Sequence, residues 1–168
     1  MEWTGARYAD KPSVHVQVWI DAPPRRVWEV VSDIRLMPSM SQELQAVEWL
    51  DGASAPVVGA RFVGHSKHDA LGEWATISEV IECTPERVLA WAVEDPANPT
   101  ATWRFLLERK NNGTVLSEWM QIGPARSGLS LAIDRMPEKE QKIVFVRIRE
   151  FEQSMVATLA HIKRLAES

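Results

Sequence analysis

Glu118 is the side chain of this 168-residue chain whose type and placement could do acid–base chemistry. It sits in the run 114–122, which reads as a β-strand, and residues two apart on a strand share a face. If Leu116 points inward, so does Glu118, and an inward carboxylate must be paired, hydrated or protonated. One reading makes it a polar anchor or a base with raised pKa. The other, which the residues favour, makes it a structural carboxylate satisfied by a Trp N–H, by Arg104 or by Arg61.

The remaining candidates are weaker. His65 and His68 stand three apart, a spacing that sends two imidazoles to opposite faces of a strand, and only Asp69 and Glu73 lie nearby in the chain. Zinc wants four matched ligands, so no metal is expected. Cys83 lacks a His partner and reads as a buried spectator thiol. The run Ser127-Gly128-Leu129-Ser130 is no substitute for a nucleophile elbow. No phosphate loop or dinucleotide fingerprint is present, so no cofactor is expected.

Composition narrows the partners. The chain is 45% hydrophobic and 25% charged with a net charge of −4, and its Lys and Arg are scattered. Nucleic acid and anionic membranes both want a basic face, so neither is expected as a partner. One cysteine suits a reducing cytoplasm, and the opening residues lack the apolar stretch of a signal peptide. Eight tryptophans against one tyrosine are the unusual count. Indoles on that scale fill a core or wall a pocket, and an even split between the roles is expected.

The elements that must position these residues follow from periodicity. Residues 1–12 read as a polar arm and 13–168 as one domain. Val14, Val16, Val18 and Ile20 alternate as a strand. Asp21-Ala22-Pro23-Pro24 then opens a short helix with Val27, Trp28, Val30 and Val31 on its stripe, and a second short helix falls near Met37-Pro38. Six further strands follow, at 44–50, 61–67, 73–82, 87–94, 100–109 and 114–122. Lys110-Asn111-Asn112-Gly113 carries the strongest turn signal, because Asn-Gly tolerates the positive φ a tight hairpin needs. Residues 123–136 read as a connection with enough apolar content to act as a lid. From Pro137 onward Val144, Ile148, Phe151, Met155, Leu159, Ile162 and Ala166 mark one face of a long helix.

The expected fold is therefore α+β: a curved antiparallel sheet of about seven strands wrapped round a long C-terminal helix, with two short helices after the first strand. Such a sheet leaves space between itself and the helix. Alternation then sends Trp103, Phe105 and Leu107 inward, together with Leu89, Trp91 and Val93, Phe62 and Gly64, and Trp74 and Thr76.

Several segments resemble the SRPBCC superfamily of START-like, helix-grip proteins, in its bacterial polyketide cyclase/dehydrase-like branch. They are Ala22-Pro23 with Val27-Trp28 and Ser32-Asp33; Gly59 to His65 with Trp74-Ala75-Thr76; Trp103-Arg104-Phe105; Gly113-Thr114 with Glu118; and Met155 through Lys163. The chain departs from that branch at Met40, where a Trp is frequent, and at Ser66, where an Asn is frequent. The resemblance implies a cavity for a hydrophobic small molecule, a lipid, polyketide or aromatic compound. Trp28, Phe62, Trp74, Trp91, Trp103, Phe105, Glu118, Phe151 and Met155 would line it. It also raises a cyclase/dehydrase alternative, in which Arg61 steadies an enolate and Glu118 shuttles a proton. A third possibility is an interaction or stress-response module with a filled core and an exposed apolar patch. A monomer and a homodimer are both compatible with the residues.

Overall fold

The computed structural model describes all of residues 1–168. Seven strands form one antiparallel sheet in the order β1-β7-β6-β5-β4-β3-β2. They are β1 (Ser13–Ile20), β2 (Leu44–Trp49), β3 (Arg61–His68), β4 (Gly72–Thr84), β5 (Val88–Asp95), β6 (Asn98–Lys110) and β7 (Gly113–Ile122). Every neighbouring pair except β1–β7 is consecutive in the chain. β1 closes the far edge by pairing with β7 from Ser13↔Gln121 to Ile20↔Thr114. This is the α+β arrangement expected from the alternation, and the helix-grip fold that the resemblance implies.

Two short helices, α1 (Pro24–Val31) and α2 (Met37–Met40), bridge β1 and β2. Pro24 starts α1 because a first-turn residue needs no donor N–H. The connection after β7 is more ordered than its sequence suggests. Residues Gly128–Arg135 form a helix, α3, at whose start the Ser127 N–H donates to the Ser130 hydroxyl at 3.0 Å. The long helix α4 (Glu140–Glu167) lies in the concave side of the sheet. Its buried face is the expected stripe, Val144, Ile148, Met155, Leu159, Ile162 and Ala166, with Arg147 added to it.

The main core joins α1 and the C-terminal half of α4 to β1, β5, β6 and β7, through Ile20, Val27, Leu89, Leu107, Leu116 and Ile162. A second cluster gathers Val14, Met120, Leu129, Val144, Ile148 and Met155 under α3. The N-terminal arm is tied down: Trp3 packs edge-on against Phe145 at 5.2 Å, and Gln141 donates to the Gly5 carbonyl. The Tyr8 hydroxyl donates to the Ala125 carbonyl at 2.6 Å.

The β6–β7 turn falls within Lys110–Gly113, where it is expected. Lys110 pairs with Gly113 across the β6–β7 hairpin, so the positive φ angles fall on Asn111 and Asn112 (50° and 62°). Gly113 is required for space instead. A Cβ there would stand 2.4 Å from the Ile20 carbonyl oxygen and 2.7 Å from the Trp19 ring. Trp19 is fixed over that hairpin by its indole N–H on the Lys110 carbonyl, 2.9 Å away. Gly113→Ala is therefore expected to cost about 2 kcal/mol through forced separation of β1 from β7, read as a lower denaturation midpoint at unchanged slope.

Candidate functional site

Between the sheet and α4 lies a cavity of about 760 Å³, lined mainly by hydrophobic side chains. That volume is in the range of drug-sized ligand pockets. It exists because one part of the inner sheet face carries small residues. Gly64 and Ser66 on β3 stand opposite Thr76 and Trp74 on β4, and Ser78 stands opposite Phe62. Where larger side chains return on β5 and β6 they are aromatic. Edge-to-face contacts run from Trp49 to Phe62 (5.7 Å) and from Phe62 to Trp91 (6.1 Å). Trp91 lies parallel to Trp103 (6.4 Å, 9°), and Trp103 meets Phe151 of α4 edge-on at 5.6 Å. The result is a continuous wall of π-faces and ring edges from β3 to the helix, with Trp49 of β2 backing Phe62.

Of the residues expected at this site, Phe62, Trp74, Trp91, Trp103, Phe105, Glu118, Phe151 and Met155 all line the cavity. Trp28 does not. It is half-buried against the main core, while Val30 and Val31 are the α1 residues that reach the cavity. Helical rotation accounts for this: Val27, Val30 and Val31 share the buried face, and Trp28 sits on its shoulder.

Arg61 is a second correction. It is exposed, and its guanidinium bonds Asp51 from outside the sheet at 2.8 Å. Because Arg61 directly precedes the inward Phe62, strand alternation turns it away from the cavity. The structural partners proposed for Glu118 are therefore missing. Arg61 is on Asp51, and Arg104 lies over the outer Trp119 ring at 5.2 Å.

Glu118 stands on β7 between Val16 of β1 and Phe105 of β6, with Leu116 and Met120 as its same-face neighbours. It is 5% exposed, and its Oε2 is buried with no hydrogen-bond partner. Loss of water around the carboxylate pushes its pKa up to about 8, so the group is largely a neutral carboxylic acid at pH 7. Cys83, by contrast, donates to the Pro56 carbonyl at 3.3 Å, and burial raises the pKa of its thiol. Both features make it a poor nucleophile.

Positions that sequence reasoning left out also line the cavity. Ser78 was legible in principle, since it shares a face with Thr76. Leu129, Leu131 and Arg135 arrive with the unexpected α3, and Leu131 is 59% exposed at the rim. Met40 and Ser66, the two departures noted above, both line the cavity.

At the side of the cavity α4 is clamped to the sheet by charge. Arg147 holds Glu43 through both guanidinium nitrogens, at 2.5 and 2.9 Å. His68 Nε2 meets Glu150 at 2.8 Å. The ligand atoms of Glu43, His68 and Glu150 come within 4.8 Å of one another, which the chain neighbours of His68 did not suggest. The geometry nevertheless assigns them to hydrogen bonding. The backbone N–H groups of Ala70 and Leu71 both donate to His68 Nδ1 (3.0 and 3.3 Å), so Nε2 carries the proton and donates it to Glu150. A metal on Nε2 would need that proton moved to Nδ1, against two N–H donors.

A curved sheet gripping a long helix over a largely apolar internal cavity defines a helix-grip protein of the SRPBCC type. The chain belongs to the family described as polyketide cyclase/dehydrase and lipid transport, which matches residues 11–140. A polyketide-cyclase-like protein of Corynebacterium glutamicum is 30% identical, with a TM-score of 0.67 over 92% of this chain and 91% of that one. A Deinococcus radiodurans protein superposes with a TM-score of 0.63 at 18% identity, covering 93% of this chain and 98% of that chain. The di-domain ARO/CYC BexL from the BE-7585A biosynthetic pathway gives a TM-score of 0.68 at 20% identity, over 94% of this chain and 50% of that one. These last two likenesses concern the fold alone. No curated protein matches the chain. No helix is long and apolar enough to cross a membrane.

Proposed function

We propose that the protein binds a hydrophobic small molecule, a lipid, polyketide or aromatic compound, inside the cavity between sheet and helix. The observation that carries this reading is the aromatic wall around about 760 Å³ of space. A filled core, as an interaction module would have, leaves no such volume. Native mass spectrometry on protein purified without detergent tests it. The expected result is a mass excess that is released on unfolding and identifies as an apolar compound. Protein that is empty, and stays empty after incubation with apolar aromatics and lipids, would overturn it.

The cyclase/dehydrase alternative retains one favourable observation, the raised pKa of Glu118 in the cavity wall. Such a group can give and take a proton near neutral pH. It has lost the cation assigned to the enolate, because Arg61 lies outside. Turnover of whatever compound is released would favour this alternative over simple carriage.

Trp103 separates core from pocket roles. A fully buried Trp costs about 3–5 kcal/mol on truncation to Ala. Trp103 is only half-buried, with one face on Trp91 and an edge on Phe151. Trp103→Ala is expected to lower stability by about 1–2 kcal/mol and to weaken binding of an aromatic ligand by roughly tenfold. Parallel melts and titrations check this, and a loss of stability with affinity intact would return Trp103 to the core.

A further inference from the structure

From the orphaned carboxyl in the cavity wall we propose that Glu118 sets what the cavity accepts. Its carboxyl donates a hydrogen bond to a carbonyl oxygen at the buried end of a flat, uncharged hydrophobic ligand, and a carboxylate-ended ligand of the same outline is rejected. This role rests on the cavity being a binding site, and it adds the ligand's polar chemistry to that reading.

Three observations carry it. Glu118 lines the cavity, yet its Oε2 has no partner in the protein, so a buried polar atom is left for something else to satisfy. A carboxyl group kept protonated is a donor, and a donor in an apolar wall selects an acceptor. On the neighbouring strands Trp91 and Trp103 stand parallel, 9° apart in plane with centroids at 6.4 Å, an orientation that a planar ligand body can continue by stacking.

Charge chemistry excludes the anion. The charged residues that share the cavity are Asp33, Glu43, Glu94, Arg126, Arg135 and Arg147. None of them pairs with Glu118, whose immediate neighbours Val16, Phe105, Leu116 and Met120 are all apolar. Arg126 is paired with Asp134 and Arg147 with Glu43, and Arg135, which makes no ion pair, is exposed at the end of α3 rather than beside Glu118. A carboxylate brought to this end of the cavity would lose its water without gaining a cation.

The test uses three probes of one outline: 2-acetylnaphthalene, its isosteric alkene 2-isopropenylnaphthalene, and 2-naphthoate. Calorimetric titration compares wild type, Glu118→Gln and Glu118→Leu at about pH 6 and about pH 9.5, with circular dichroism showing each sample folded. In wild type at the lower pH the ketone is expected to bind roughly tenfold tighter than the alkene, and the naphthoate weakest. The ketone preference should vanish at the higher pH, where the carboxyl has lost its proton. Glu118→Gln keeps an N–H donor, so it should keep the preference at both pH values. Glu118→Leu should favour the alkene at both. A ketone-to-alkene ratio that neither pH nor Glu118→Leu alters would overturn the role of Glu118 while leaving the cavity reading intact. No binding of any probe to any variant would overturn both.

Discussion

Stability is expected to fall as the pH rises from 4.5 to 8, and Glu118→Gln should abolish most of that fall. The folded protein holds the Glu118 carboxyl protonated up to about pH 8, whereas the ordinary value is 4.5. Between those two limits the native state binds a proton that the unfolded chain has released. Stability therefore decreases with pH in that window, is fully present below 4.5 and has lost its whole contribution above 8. The slope is about 1.4 kcal/mol per pH unit, which amounts to on the order of 5 kcal/mol across the window. The opposite sign holds for Glu167, an exposed carboxylate whose pKa is lowered by hydrogen bonds from Lys163 and the Asp21 backbone. A difference curve between wild type and Glu118→Gln cancels it. Guanidinium denaturation at pH values spanning the window should show the variant equal to wild type at the acid end and more stable at the alkaline end. Parallel curves would mean that the carboxylate is hydrated or paired when the protein is in solution.

The second large effect is expected at the clamp between α4 and the sheet. Arg147 is buried, holds Glu43 with two hydrogen bonds, and caps the Phe151 ring at 4.2 Å. Arg147→Met leaves Glu43 and Glu150 together with only the His68 imidazole beside them. Breaking a buried pair from one side costs about 3–5 kcal/mol, and the partial exposure of Glu43 places this case at about 2–3 kcal/mol. Removing both charges is different, because the stranded carboxylate disappears with its partner. The double variant Arg147→Met with Glu43→Leu should recover most of the loss. A double-mutant cycle by chemical denaturation measures this. A single-variant cost below about 1 kcal/mol would mean that water replaces the guanidinium without penalty.

What the sequence made legible is what strand and helix periodicity control. The inward set of Trp103, Phe105, Trp91, Phe62, Trp74 and Glu118 follows from a two-residue repeat, and the stripe from Val144 to Ala166 from a helical one. Arg61 shows the cost of letting family likeness override that rule, since its place beside Phe62 already sent it outward. Arg147 and the Glu43–His68–Glu150 group were illegible for a different reason. His68 and Glu150 lie 82 residues apart, and nothing local to either announces the other. Helix α3 was missed because its eight residues carry too little apolar pattern to stand out from a lid-like loop. That Glu118 has no partner could not be read at all, because an absence of bonding partners is a property of the packed site.

The small residues Gly64, Ser66, Thr76 and Ser78 sit on β3 and β4, whereas the acid sits on β7, across the sheet from them. Outline and polarity are thus written on different strands. A drift to bulkier or smaller side chains on the first pair reshapes the chamber while the proton donor stays put, and loss of the donor leaves the chamber's shape alone. A scaffold divided in this way can diversify along two independent axes, one substitution at a time.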